Sequence, residues 1–274
     1  MMFKVPASKS GANLVDVVSE VMDCSGKQAK RILDNRRVFV NGRRIWMAKH
    51  RVKRGDNIEI HRGPLEHNTL TKKDILYIDP RYVILDKPPG WLSNGAGSAE
   101  SALRKLMNDR NLQAVHRLDR DTSGCLLFAV NAESYDRVIS LFKERKIDKV
   151  YNALVAGKVS DRVLRITSPI GGKPAVSLIR ILSSSSSASH VKVKIETGRT
   201  HQIRKHLAGI GHPVLGDKQY TTHKPETKIS RAVPRQMLHA SSLSLTCPVT
   251  GQTVHAKAKM PGDFRKCMNI LKLS

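Results

Sequence analysis

Apolar residues recur along this chain with two periods, and each change of period marks an element. Leu14, Val17, Val18, Val21 and Met22 share one helical face. Ser25 is placed to cap a second helix from Gly26 to about Asn35, with Ala29, Ile32 and Leu33 turned inward. Val38-Phe39-Val40 alternates into Asn41-Gly42, a tight-turn pair, and Arg43-Arg44-Ile45-Trp46 follows. A turn and a short strand from Val52 to Ile60 close a small module, residues 12–63, preceded by a tail, 1–11. Residues 64–73 lack periodicity and read as a linker to a larger domain, 74–274.

In that larger domain Tyr82 to Asp86 reads as a buried strand, ended by the stiff turn Lys87-Pro88-Pro89-Gly90. A helix is expected from Ser98 to Asn108, then a polar knot, Val115 to Gly124, that runs straight into an apolar strand, Cys125 to Val130. Ala132 to Lys146 is amphipathic, with Val138, Ile139, Leu141 and Phe142 on its apolar side, and Lys149 to Val155 alternates with period two. Strands are expected at Val176 to Leu182 and His190 to Glu196, joined by a flexible tip of five serines, Ser183 to Ser187. Thr197 to Leu207 is a second dense polar stretch. Gly198 permits a tight turn, Thr200 can cap, and a helix from His201 to about Gly209 puts Ile203 and Leu207 on one face and Arg204 near its first turn. His212 to Asp217, Tyr220 and Leu238 to Ala240 read as framework before the strand Leu243 to Thr246 and a last helix, Phe264 to Leu273.

Charge changes the picture. Among 274 residues, 48 Lys and Arg stand against 23 Asp and Glu, a formal net charge of +25. Such a surplus repels itself unless a polyanion compensates it, which makes nucleic acid the natural partner. Between Lys27 and Arg62 the small module carries 12 Lys/Arg and three acids, Asp34, Asp56 and Glu59, so one of its surfaces suits backbone phosphates. No apolar run has the length of a membrane span, and the start has no signal-peptide core, so a cytoplasmic protein is expected. Cys24, Cys125, Cys247 and Cys267 are too scattered for a zinc knuckle or a disulfide framework and read as reduced, mostly buried residues.

A strand that continues out of a His/Arg/Asp/Thr/Ser cluster holds that cluster rigidly at a sheet end, which makes Asp119 the candidate reactive carboxylate. Taken alone, the loop fits a capped turn equally well. Arg204 can fork onto a carboxylate or a phosphate. Tyr151, the one aromatic of its strand, fits a core position as well as a binding one.

The stretch His-Arg-Leu-Asp-Arg-Asp-Thr-Ser-Gly at 116–124 resembles the signature of the RluA-type pseudouridine synthases, which convert uridine in RNA to its carbon-glycosidic isomer. Lys-Pro-x-Gly at 87–90, Lys-x-Tyr-x-Ala at 149–153 and Gly-Arg-Thr-His-Gln-Ile-Arg-x-His-Leu at 198–207 follow in the family's order, so the resemblance covers most of 75–260. It implies an α+β pseudouridine synthase fold, a mixed and mostly antiparallel sheet with flanking helices and a central cleft. It implies Asp119 as catalytic residue, Arg204 as its ion-pair partner, and Tyr151 against the target uracil. By the same resemblance Arg117 fills the vacancy left by an extruded base and His116 orients the loop. Ile203 can shield the detached uracil, and an ion pair with Arg204 would favour the Asp119 anion. The isomerisation calls for no metal, redox cofactor or second substrate. The front module, with Lys-Gln-Ala-Lys-Arg before Val-Phe-Val-Asn-Gly and then Val-Lys-Arg-Gly-Asp, resembles the alpha-L RNA-binding domain of ribosomal protein S-four type over about 12–62. It makes large-subunit ribosomal RNA the expected substrate ahead of transfer RNA, with the protein acting as a monomer.

Two departures stand out: Cys247 where the family commonly has His before Pro, and Trp91-Leu92-Ser93-Asn94 after the Lys-Pro turn. Two rival readings remain. A non-catalytic ribosome-assembly protein explains the charge but leaves an Asp119 to Arg204 pair without purpose. A glycosidase needs two carboxylates across the bond, and Asp121, two residues from Asp119, is unsuited to face it.

Overall fold

The structure, a computed structural model, describes residues 1–34, 38–45, 47–60, 69–160, 163–221 and 233–273, without the side chains of Arg31, Arg43 and Arg44. They form two compact units, Met1–Thr69 and Leu70–Ser274.

The first unit packs α1 (Leu14–Val21) and α2 (Gly26–Asp34) with a four-stranded antiparallel sheet. Its strands are β1 (Met2–Lys4), β2 (Val38–Val40), β3 (Arg43–Arg44) and β4 (Asn57–Ile60), in the order β1-β4-β2-β3. Ser25 caps α2 as a reciprocal box: its Oγ accepts the Gln28 N–H at 3.3 Å, and Gln28 Oε1 accepts the Ser25 N–H at 2.9 Å. Asn41 and Gly42 both have positive φ, 51° and 71°, as a two-residue hairpin turn requires. Leu14, Val17, Val18, Ala29, Leu33 and Ile58 form the centre of the core.

Residues 1–11 are not a tail. Phe3 pairs with Ile58 across β1 and β4, and the terminal ammonium donates to the Ile60 carbonyl at 2.8 Å. The expected linker lies outside the described residues at 64–68, and its end belongs to the second unit. Leu70 is buried in the core of that unit, and Thr71 and Asp74 close a capping box that starts β5 (Ile75–Ile78).

The described strands of the second unit form one sheet with the path β10-β11-β12-β9-β13-β8-β6-β5. These are β6 (Tyr82–Lys87), β8 (Ser123–Ala129), β9 (Asp148–Ala156), β10 (Val163–Ile166), β11 (Ser177–Ser184), β12 (Ala188–Ile195) and β13 (Leu238–Thr246). Two more, β7 (Gln113–Ala114) and β14 (Thr253–Lys257), pair with β8 and β13. Every described pairing is antiparallel except β8 with β13, where Ser123 lies beside His239 and Gly124 beside Ala240. The helices are α3 (Ala99–Met107), α4 (Ala132–Lys143), α5 (Gln202–Gly209) and α6 (Gly262–Ile270). Among the described residues no helix is long and apolar enough to cross a membrane.

Apolar cover lies on both faces of the sheet. Val83 and Leu85 pack with Leu103 of α3 and Ile203 and Leu207 of α5, while Tyr82 and Ile84 pack with Val138 of α4. The alternation expected of β9 therefore holds only at its start: Tyr151 through Val155 are all buried, because the strand is central. The serine run is only partly a tip. Ser183 and Ser184 extend β11, Ser183 Oγ donates to the Leu273 carbonyl at 2.7 Å, and Ser184 Oγ lies 2.9 Å from Ser189 Oγ. Two helices stop short of their apolar patterns: α4 ends at Lys143, before a positive φ at Arg145, and α6 at Ile270.

The parallel junction leaves no room for a side chain at its first contact. Gly124 has φ of +105°, and a Cβ there would collide with the Ala240 carbonyl. We predict that Gly124→Ala lowers the urea unfolding free energy by about 3 kcal/mol or more. Gly262→Ala, at a position open within 4 Å, changes it by less than about 0.5 kcal/mol in the same measurement.

Candidate active site

Val115 to Thr122 connect β7 to β8, and the loop is tied to its surroundings almost residue by residue. His116 Nε2 accepts the Leu127 N–H at 3.1 Å. Ser93 Oγ accepts the Leu118 N–H at 2.8 Å and donates to the Leu118 carbonyl at 2.9 Å, so the segment after the Lys-Pro turn, where this chain departs from the family, holds the residue before Asp119. The Asp119 carbonyl takes the Thr122 N–H at 3.0 Å. Lys87 is fully buried and divides its ammonium among the carbonyls of Pro88, Trp91 and Arg120, each at 3.0 Å. The Arg120 carbonyl also accepts the Gly90 N–H at 2.8 Å, and the Asp121 carbonyl accepts from Arg235 Nη1 at 2.9 Å. Thr122 Oγ1 accepts from Gln236 Nε2 at 2.8 Å, and Ser123 Oγ lies 3.0 Å from His239 Nδ1. A loop so held presents Asp119 without freedom to relax.

The second polar stretch supplies Arg204. Thr200 does not cap α5: the N-cap is His201, with φ of 56° and no side-chain cap bond. The preceding turn is closed by Gln202, whose Oε1 accepts the Arg199 N–H at 3.0 Å and the Thr197 hydroxyl at 2.7 Å. Arg204 is buried, and its Nη1 donates to Asp119 Oδ2 at 2.9 Å. Its other edge forks onto Asp217, Nε to Oδ2 at 2.6 Å and Nη2 to Oδ1 at 2.9 Å. The guanidinium carbon sits 5.0 Å from the centre of the Tyr220 ring.

Asp217 takes further bonds from the backbone N–H groups of Gln219 at 2.9 Å and Tyr220 at 3.3 Å. Burial alone would raise its pKa, but the bonds from Arg204 and the backbone outweigh burial and hold the carboxyl below its ordinary value. Arg204 responds in reverse: burial works against the cation, and the two carboxylates more than restore it.

Asp119, Arg204, Tyr151, Ile203, His116 and Arg117 all line one cavity of about 490 Å³. Tyr151 and Ile203 are buried in its wall, and Arg117 is exposed at its rim. Burial, followed by the Asp119 charge, pushes the Tyr151 phenol upward, so it stays protonated. His116 is held down to about 3 by burial and then by Lys149, and as a neutral ring it can accept the Leu127 bond. The second carboxylate of the cavity wall is Glu196, whereas Asp121 is not part of it.

The sequence and the fold match known proteins. A family model described as RNA pseudouridylate synthase matches residues 81–209. Ribosomal large subunit pseudouridine synthase D of Pseudomonas aeruginosa is 31% identical over 230 residues, covering 73% of this chain and 72% of that protein. The chain belongs to the RNA pseudouridylate synthase family. It is accordingly an isomerase that acts on RNA. Ribosomal large subunit pseudouridine synthase C of Buchnera aphidicola is 30% identical over 275 residues, covering 88% of this synthase and 87% of the relative. Human RNA Pseudouridylate Synthase Domain Containing 4 has the same fold, with a TM-score of 0.65 at 24% identity over 74% of this chain and 94% of that one.

Two neighbours of the site escape a reading of the sequence. Asp217 looks like framework in a Pro-Val-Leu-Gly-Asp turn, yet it fixes the guanidinium. The one available signal was an acid at a turn in a chain short of acids. His201 lies 3.6 Å from Asp119 Oδ1, too long for a hydrogen bond, and its Nδ1 is 2.9 Å from the Tyr220 hydroxyl. Burial lowers its pKa, which favours the neutral ring.

Because the folded pKa of Asp217 lies below its unfolded value, its contribution to stability is present above the ordinary Asp range and is lost as pH falls through the folded value. Asp217→Asn is expected to cost about 3 kcal/mol at pH 7 and to flatten the decline in stability from pH 7 to pH 3. Urea melts across that range check both; an unchanged slope would exclude Asp217 as its source.

Proposed function

We propose that this synthase converts uridine of large-subunit ribosomal RNA to pseudouridine, with Asp119 as the reacting group. The observation that carries the reading is the Asp119 to Arg204 contact, 2.9 Å, in the wall of a cleft that Tyr151 and Ile203 also line. In the reaction the bond from ribose carbon 1 to uracil nitrogen 1 breaks, the base turns, and a bond from carbon 1 to uracil carbon 5 forms. The carbon 5 proton leaves and nitrogen 1 gains one, so atoms and charge balance without a redox partner. Asp119 acts either as nucleophile on the ribose or as base at its 2-prime position. Arg204 holds the carboxylate at a fixed angle. The Tyr151 ring and the Ile203 side chain hold the detached uracil flat. Tyr151 works as a protonated phenol, since burial, and after it the neighbouring Asp119 charge, opposes its ionisation.

Arg117, at the rim, is the group proposed to fill the stack from which the uridine is drawn, with His116 anchoring the loop behind it. The names of the relatives, ribosomal large subunit synthases C and D, support the choice of RNA. The basic first unit, read as an S-four type RNA-binding domain, adds to it. The protein acts as a cytoplasmic monomer in this reading.

Asp119→Asn should abolish tritium release from RNA labelled at uridine carbon 5 while leaving filter retention of that RNA within about threefold of wild type. Arg204→Lys keeps the charge but cannot serve both carboxylates with a planar fork, and should lower kcat at least about a hundredfold. Mapping pseudouridine in total RNA with and without the protein tests the substrate: loss confined to transfer RNA would defeat the ribosomal assignment.

A further inference from the structure

Among the described residues, one buried cation of the cleft has no acceptor in reach. Lys149, at the start of β9, is buried to 7% exposure and lines the cavity, and among the described residues no acceptor lies within hydrogen-bond reach of its ammonium. Its one recorded contact is with the Phe142 ring, 5.2 Å from Nζ to the centroid. The nearby groups have other engagements. His116 gives its Nε2 lone pair to the Leu127 N–H, and Asp148 is bound to Lys194 at 2.6 Å. Lys87 in the same unit shows how a buried ammonium is ordinarily satisfied, by three carbonyls.

We propose that Lys149 receives a phosphate oxygen of the RNA strand at the extruded uridine, fixing how deep the nucleotide enters the cleft. Lys149 and Tyr151 are two residues apart on one strand, so they project to the same face at a spacing of about 7 Å, and both line the cavity. With the uracil against Tyr151, the Lys149 position falls where the nucleotide's own backbone passes. Arg117, Lys143 and Arg145 stand along the same cavity, whose carboxylates are Asp119, already answered by Arg204, and Glu196. With Asp119 taken by Arg204, one further carboxylate, Glu196, stands against Arg117, Lys143, Arg145 and Lys149 in this wall, and each nucleotide of RNA brings another anion. Burial holds the ammonium pKa down to about 8, with Asp148 opposing, so the group is charged at neutral pH but incompletely stabilised until an anion arrives.

The inference rests on the cleft being the seat of the target uridine, and Lys149→Met separates it from that reading. The probe is an unmodified transcript of large-subunit ribosomal RNA carrying tritium at uridine carbon 5. Lys149→Met is expected to raise KM about tenfold with kcat within twofold, as for the loss of one charge-assisted bond. Its plot of log binding against log salt should be shallower by about 0.7, the share of one phosphate contact on a single strand. Lys149→Arg should restore that slope. Because Met removes an unpaired buried charge while keeping the stem's bulk, Tm should stay level or rise, which a purely structural lysine would not allow. An unchanged KM and salt slope would overturn the proposal. So would a fall in kcat at constant KM, which would mark a role in the chemistry, or a fall in Tm that accounts for the lost activity. Turnover by Asp119→Asn would instead defeat the reading of the cleft, and the salt slope of Lys149→Met would still decide whether Lys149 meets a phosphate.

Discussion

One guanidinium holds this active site together. Arg204 gives one edge to Asp217 through two bonds and its remaining Nη1 to Asp119. Burying three charges is costly, and a buried pair repays its desolvation only when geometry and further bonds are good. Here the cost is offset on the Asp217 side, which has no exposed surface and takes two additional backbone N–H groups. Asp119 keeps 21% of its side chain exposed toward the cavity and receives a single bond from Arg204. The asymmetry separates the two carboxylates: one fixes the guanidinium, and the other is steered by it and left facing the cavity.

The loop carrying Asp119 is fixed by the same logic on the backbone. Lys87 and Ser93 reach it from either side of the Lys-Pro turn, and Arg235 and Gln236 from the segment before β13. Their partners are mostly carbonyls and amides, which leaves the Asp119 side chain free. If Asp119 reacts as proposed, a small displacement would cost much of the rate, and this anchoring of an otherwise irregular segment prevents it. The burial of Lys87 has the same explanation, since three carbonyls from two turns need one shared donor.

Much of this was legible before any coordinates. The helices and hairpin of the first unit follow from residue spacing, and all six nominated residues line a single cavity: five lie in the two dense polar stretches, and Tyr151, in an apolar strand, was marked only by the family resemblance. What escaped was set by distant partners. The centre of β9 is buried on both faces because apolar clusters cover both sides of the sheet there, Ala153 and Val155 in one and Leu154 in another. Met2–Lys4 has too few residues to show a period, and becomes a strand because β4 offers it an edge. Asp217 offered only the weak sign of an acid at a turn, because its role depends on an arginine 13 residues away in another element. His201 adopts positive φ where the sequence suggested a capped helix start, as Gln202 had already taken the turn's donors.

The parallel pairing of β8 with β13 has a consequence for biosynthesis. Ser123 meets His239, and Thr122 meets Gln236, across 116 and 114 residues of intervening chain. The backing of the Asp119 loop is therefore made long after the loop itself leaves the ribosome. A nascent chain that has displayed the Asp119 loop still lacks Arg204, Gln236 and His239, so the cleft is complete only once its last third has emerged.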